Sequence, residues 1–447
     1  MKKNSMLITL LLTVCTIHAQ TSRQWTLKEC IDYAIANNIS LKKTVLARQS
    51  SIEDLKQSTA ELLPSLSAST NHSVGYRPWV NDGVSNVSNG TVATSVNKSY
   101  YNGSYGINAS WTVWNGGQNT KTVRLNKITA QQAELDSAVT ANSIQEQIAQ
   151  LYVQILYQKE AVSVNEMSYN TSVKNEARGK EMVEAGQMSK ADLAQLTAQT
   201  AQDKYNIVEA QSNLANYKLQ LKQLLEITDD CEFDIASPTS PDAQALAEIP
   251  SLQSVYETAL GTRPEIENGR LAIDGSELSI DIAKAGHLPT LSITGGVGTS
   301  TTSMNSKGWG QQFKTNFDAS VGASISVPIF DNRKTKAAIN KARIQYEENV
   351  LGLQEAQKQL YSTIEGYWLD ANTNQQKFKA ACVSVESEQA SYDLLSEQFR
   401  LGLKNIVELM TGKTNLLIAQ QNRLQSKYMS ILDIQMLNFY KGLNMNL

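Results

Sequence analysis

The sequence predicts an α+β membrane protein built from two tandem helix–strand–strand–long helix–helix repeats, with four membrane-length strands per chain. Three observations carry that expectation. One motif order runs through the chain twice, each half holds a long proline-free stretch, and four segments alternate between apolar and polar residues. The 447 residues carry a formal net charge of −3 and 19% charged residues, which points neither to nucleic acid nor to a polybasic membrane grip.

The chain opens with Lys2 and Lys3, an apolar run from Met6 to Ile17, and Ala19 before Gln20, so residues 1–19 read as a secretory signal. The run is too short to cross ~30 Å of hydrocarbon as a helix. Cys15 follows Val14, which is bulkier than lipoprotein processing tolerates. Cys30, Cys231 and Cys382 are odd in number, widely spaced and without Cys-x-x-Cys, so they read as isolated small apolar residues, not a disulfide framework. After the signal there is no window of about 20 consecutive apolar residues, so any membrane span must be made by strands.

The repeat shows in Leu62-Leu63-Pro64-Ser65-Leu66-Ser67 and His287-Leu288-Pro289-Thr290-Leu291-Ser292, an offset of 225 that also carries Thr26-Leu27 onto Ser251-Leu252. Further on the offset is 216, placing Ile148 on Ile364, Gly186 on Gly402 and Asp192-Leu193 on Glu408-Leu409. The difference predicts a longer loop between residues 70 and 100 in the first copy. The division expected is a first repeat over 20–227, a linker over 228–250 and a second repeat over 251–447. Pro238, Pro241 and Pro250 make the linker an extended connector.

Each copy starts with a helix. In the first, Thr26 and Glu29 form a capping box, and the helix ends before Pro64. No proline occurs from Trp79 to Ser237 or after Pro328. Since proline inside a helix costs ~3 kcal/mol, both stretches are free to form very long helices. Ile144, Ile148, Leu151, Ile155 and Val162 step as a coiled-coil seam. A helix from about Gln118 to Glu184 would be ~100 Å long at ~1.5 Å per residue.

The strands lie between these helices. Tyr105 to Val113 and Phe317 to Ile329 are apolar at odd positions and small or polar at even ones, and shorter partners run about 66–76 and 290–300. Such alternation over ~10 residues suits a transmembrane strand. Tyr76, Trp79, Tyr100, Tyr101, Trp114, Trp309 and Phe330 fall near strand ends, where interfacial aromatic girdles belong. A closed membrane barrel needs at least ~8 strands, so four must be completed by other copies. Three chains would make a 12-stranded barrel around water, whereas the interior of an eight-stranded one fills with side chains.

The duplication, the Leu-Pro-Ser-Leu strand entry at Leu63–Leu66, Trp114-Asn115-Gly116-Gly117 after one strand and Phe330-Asp331-Asn332-Arg333 after another resemble the TolC-like outer-membrane efflux family over essentially the whole chain after the signal. The resemblance implies a homotrimer. Its 12-stranded β-barrel would lie in the outer membrane on a long α-helical coiled-coil barrel in the periplasm. Its partners would be a periplasmic adaptor protein and an inner-membrane pump of RND or ABC type.

The resemblance also implies that helix–turn–helix tips close the periplasmic end. They correspond to Gly186, Gln187 and Met188 with Asp192, and to Leu401, Gly402 and Leu403 with Glu408. Glu408 would form a ring of three carboxylates. A second family acid is Thr411 here, a family Arg is Lys404 and a family Tyr is Phe399. Lys404 is then a point charge for Asp192, without the bidentate geometry of Arg. The plain alternative for both acids is a solvated helix start.

No Gly-x-Ser-x-Gly, P-loop or GxGxxG occurs, and neither His72 nor His287 sits in a metal-ligand spacing. No enzyme, metal or cofactor is expected. The leading expectation is a passive exit duct for small molecules such as drugs. The alternatives are the same duct in type I protein secretion or metal-ion efflux, or a periplasmic coiled-coil scaffold.

Overall fold

A computed structural model describes residues 24–79, 83–87, 90–94, 98–228, 233–237 and 241–445. The expected signal with Cys15 lies outside the described residues, as do Cys231 and Pro238 of the expected linker.

In chain order the elements are β1 (Gln24–Trp25), α1 (Leu27–Asn37), α2 (Ile39–Ala60), β2 (Ser65–Tyr76), β3 (Gly83–Val87), β4 (Gly90–Thr94), β5 (Ser99–Asn115), α3 (Gln118–Glu184) and α4 (Lys190–Leu224). There follow β6 (Asp234–Ile235), α5 (Pro241–Ala245), α6 (Leu252–Thr262), α7 (Pro264–Ala285), β7 (Thr290–Thr302), α8 (Trp309–Thr315), β8 (Asp318–Ser326), α9 (Lys334–Arg400) and α10 (Ile406–Tyr440). The helices match in pairs: α3 and α9 have 67 residues each, α4 and α10 have 35.

Two compact units emerge. One gathers residues 40–140 and 260–360, the other residues up to 39, 141–259 and 361–447. In the first, β2, β5, β7 and β8 form one antiparallel sheet in that order. β8 is exposed along its whole length, with Val321 85% and Ile325 72% accessible. β2 and β8 are the two edges, each paired on one side.

β8 ends at Ser326, short of the expected Ile329. Ser326 pairs with Thr290, and Pro289 and Pro328 lie beyond that last rung without an N–H to extend it. The longer segment in the first copy contains the hairpin β3–β4.

The opening helix expected up to Pro64 is two helices. Asn38 leaves the helical region at φ −58°, ψ 129°, and its side-chain amide donates to the Leu224 carbonyl at 3.1 Å. The second copy breaks at Arg263, just before Pro264, which heads α7. The 225 offset places Pro264 on Ile39, so the break was already signalled. The Thr26–Glu29 capping box is present.

In the second unit, Ile144, Ile148, Tyr152, Ile155 and Leu156 of α3 are buried, as are Ile364 and Phe378 of α9 and Tyr428, Ile431 and Leu437 of α10. The expected extended linker is partly folded. β6 pairs in parallel with β1, and the Tyr152 hydroxyl donates to the carbonyls of Ala236 and Trp25 at 2.7 and 3.2 Å. Ser430 Oγ donates to the Ala245 carbonyl of α5 at 2.8 Å. Cys30 is buried and Cys382 half-buried, both as free thiols.

Candidate functional site: two helical turns and a two-faced sheet

The turns that end α3 and α9 have the same hydrogen bonding. Gly186 N–H reaches the Val183 carbonyl at 3.0 Å and Gln187 N–H the Met182 carbonyl at 2.8 Å. Gly402 and Leu403 repeat this with Phe399 and Gln398, at 3.0 and 2.9 Å. Both glycines sit at φ +74°, the left-handed position that closes a helix C-terminus and that a side chain disfavours.

The next helix is capped at once. Ser189 Oγ accepts from Asp192 N–H at 3.0 Å, and Asn405 Oδ1 from Glu408 N–H at 2.9 Å. Glu408 returns an acceptor to Asn405 N–H at 3.2 Å, completing a capping box. Lys404 Nζ lies 2.6 Å from Glu408 Oε1. The lysine donor, and after it the Asn405 N–H, hold the Glu408 carboxyl below its ordinary range.

Within this chain the cation that could pair with Asp192 has another partner. Lys404 turns onto Glu408, one helical turn along its own chain, and Asp192 is satisfied by Ser189. A pair at i and i+4 needs no second element to bring it together. Phe399 is 3% exposed and packs with Leu196, Tyr392, Ile406, Leu409 and Leu416. It serves as a hydrophobic anchor beneath the turns. A cleft of about 470 Å³ lies between the turns, bordered by Met188, Asp192, Phe399 and Lys404. Leu401 and Leu403 stand 62% and 70% exposed.

Farther along the helices is a cluster that sequence reasoning did not single out. Lys413 of α10 hydrogen-bonds both Asp203 of α4 and Ser172 of α3, all three buried. Ser172 Oγ donates to Asp203 Oδ2 at 2.6 Å, and Gln199 donates to Asp203 Oδ1 at 3.0 Å. Burial lowers the Lys413 pKa, and the Asp203 carboxylate opposes that shift. A signal was available: Leu409, Lys413 and Leu416 step by four and three, as do Asp203, Ile207 and Ala210, so each charge interrupts an apolar stripe. Asp433 is also buried, accepts from Asn374 at 2.8 Å, and is pushed up to about 7 by desolvation.

The sheet has two chemically distinct faces. The pairing register places Leu66, Ile107, Val297 and Ala319 on one face with the other apolar positions. The opposite face carries Ser, Thr, Asn and Gly at nearly every rung, for example Ser67, Asn108, Gly296 and Ser320. Of the expected girdle residues, Tyr76, Trp79, Tyr101 and Trp309 lie toward the sheet end where β2 leads on to β3, whereas Tyr100, at the same end, pairs with Gly75 and so stands on the polar face, outside such a girdle. Trp114 lies at the opposite end of β5 and Phe330 follows the last rung of β8.

The fold of this chain, a four-stranded antiparallel sheet interleaved with 67-residue helices, is similar to that of solved outer-membrane channels. The crystal structure of the Campylobacter jejuni CmeC outer membrane channel superposes with a TM-score of 0.77 at 20% identity, covering 94% of this chain and 87% of that one. The family model described as outer membrane efflux protein matches residues 30–226 and 255–435, and the chain belongs to that family. The family is one of outer-membrane efflux proteins, and membership places this chain in the outer membrane.

Among curated relatives, the toluene efflux pump outer membrane protein TtgC of Pseudomonas putida is 24% identical over 210 residues, 47% of this chain. That alignment spans 42% of TtgC, less than half its length. Outer membrane protein TolC of Salmonella enteritidis is 22% identical over 422 residues, 90% of this chain and 79% of that protein.

Proposed function

We propose that this chain is one third of a homotrimeric exit duct, in which three four-stranded sheets close into a 12-stranded barrel continued by a barrel of helices. The observation that carries this reading is the state of the sheet, an apolar face backed by a hydroxyl-rich one, with neither edge paired among the described residues. An unpaired edge in hydrocarbon strands a row of backbone N–H and C=O groups, each costing several kcal/mol, and only closure removes it.

In this reading residues 1–19 direct export, and the two repeats are 20–227 and 251–447. The matched lengths of α3 with α9 and α4 with α10 support that division. The duct is passive and works with a periplasmic adaptor and an inner-membrane pump, exporting small molecules such as drugs. The name of TtgC, a toluene efflux pump protein, supports small apolar cargo. The turns at Gly186–Met188 and Leu401–Leu403 form the periplasmic tips that meet the adaptor. Asp192 and Glu408 are the acids of the gate, with Lys404 tempering Glu408.

The test is single-channel recording on the detergent-purified oligomer after its mass is measured. A trimer with small, stable openings blocked by trivalent cations is expected. A water-soluble protein without conductance would overturn the duct in favour of a periplasmic scaffold.

A further inference from the structure

The polar face of the sheet departs from its Ser, Thr, Asn and Gly composition at one end. Among the described paired positions of that face Tyr100 is the one aromatic residue, and it pairs with Gly75 on the neighbouring strand. The Tyr100 ring lies over Gly75, in space that a Cβ there would occupy. Arg77 sits two residues beyond Gly75 and so on the same face, with its guanidinium carbon 4.6 Å from the centre of the Tyr100 ring. Arg77 N–H also donates to the Lys98 carbonyl at 2.7 Å, so the strands stay paired one rung past Tyr76 and Ser99. That rung sets Lys98 opposite Arg77.

Among the described paired positions of this face the one acid is Asp318, which pairs with Gly298, whose other neighbour is Gly106, level with Ser69. Six residues separate Ser69 from Gly75, about 20 Å at the ~3.4 Å rise of an antiparallel strand. That exceeds the ~8 Å Debye length at physiological salt, so Asp318 does not neutralise the cations. A glycine that leaves room for a ring, a ring that holds a guanidinium, and a second cation across the rung form one arrangement.

We propose that Arg77 and Lys98 make the far end of the duct an anion-selecting mouth, with Tyr100 as the positioning residue that holds Arg77 toward the bore. This rests on the reading that the polar face lines the barrel. Each trimer would present six cations there, facing small anions or the carboxylate of a zwitterionic cargo. The rest of the wall, hydroxyls and amides apart from Asp318, hydrates solutes without strong preference for their charge.

The test is the reversal potential of the full-length trimer in a planar bilayer under a potassium chloride gradient. In Arg77→Gln/Lys98→Gln the ratio PCl/PK should fall by about threefold or more, as loss of a charged ring predicts. Arg77→Lys should keep the wild-type ratio, and Tyr100→Leu should give an intermediate one with conductance unchanged. An unchanged ratio in the double variant, with normal conductance, overturns the anion-selecting mouth and leaves the duct intact. Absence of conductance in the wild-type trimer would remove the barrel reading itself, and this proposal with it.

Discussion

Lys404 Nζ stands 2.6 Å from Glu408 Oε1, so the acid at the second helical turn carries its own counter-charge. Its pKa is depressed in the folded protein, so the contribution of its ionised form is present above the ordinary carboxylate range and lost as pH falls through the folded value. Block by a trivalent cation should therefore persist in mildly acidic buffer. Glu408→Ala should weaken block and shift ion selectivity. Lys404→Gln should strengthen block at neutral pH and move its loss to higher pH, because the acid then lacks its main stabilising donor. Dose–response curves for block across pH, in bilayer recordings, decide each case.

Gly402 is needed for its backbone conformation, since no neighbour lies within 4 Å of where a Cβ would stand. A left-handed residue with a side chain costs about 1–2 kcal/mol, and more for a β-branched one. Gly402→Val should distort the turn and lower recovery of the adaptor complex on pull-down. Gly402→Asn should largely preserve it.

The buried contact of Lys413 with Asp203 and Ser172 predicts a large asymmetry. Lys413→Met leaves Asp203 buried without its cation and should destabilise by about 3–5 kcal/mol. Lys413→Met with Asp203→Leu removes both charges and should recover most of that loss. Thermal unfolding of the two variants against wild type reads the difference.

Asp433 predicts a pH effect in the opposite direction to Glu408. Its folded pKa of about 7 lies above the ordinary 3.8, so its contribution is fully present below that value and is lost as pH rises toward 7. The rise from 3.8 to about 7 corresponds to at most about 4 kcal/mol. Asp433→Asn, which retains a group to accept from Asn374, should flatten the fall in stability between pH 5 and 8. Denaturation midpoints at those two pH values provide the check.

The two faces of β8 predict different tolerance to charge. Val321→Lys places an ammonium on the apolar face and should lower assembly into the outer membrane, at about 2–4 kcal/mol near the midplane. Ser320→Lys should assemble normally and alter ion selectivity. Fractionation with native gel mobility separates them.

The sequence by itself determined whatever depends on short-range pattern. Alternation marked the strands that became β2, β5, β7 and β8, the lack of proline allowed α3 and α9, and Gly186 and Gly402 marked the turns. Each is set by backbone stereochemistry within a few residues. The Arg263–Pro264 break was equally local, and its counterpart at Asn38 could be read only through the repeat.

Only the tertiary structure decided which groups far apart in the chain meet. The sheet order β2–β5–β7–β8, the union of Ser172, Asp203 and Lys413, and the laying of Tyr100 over Gly75 beneath Arg77 all depend on long-range register. Periodicity assigns a residue to a face, but the partner of that face is chosen by packing. Lys404 taking Glu408 and not Asp192 shows the converse: a contact within one helical turn needs no long-range register, whereas a pairing between the two turns requires one.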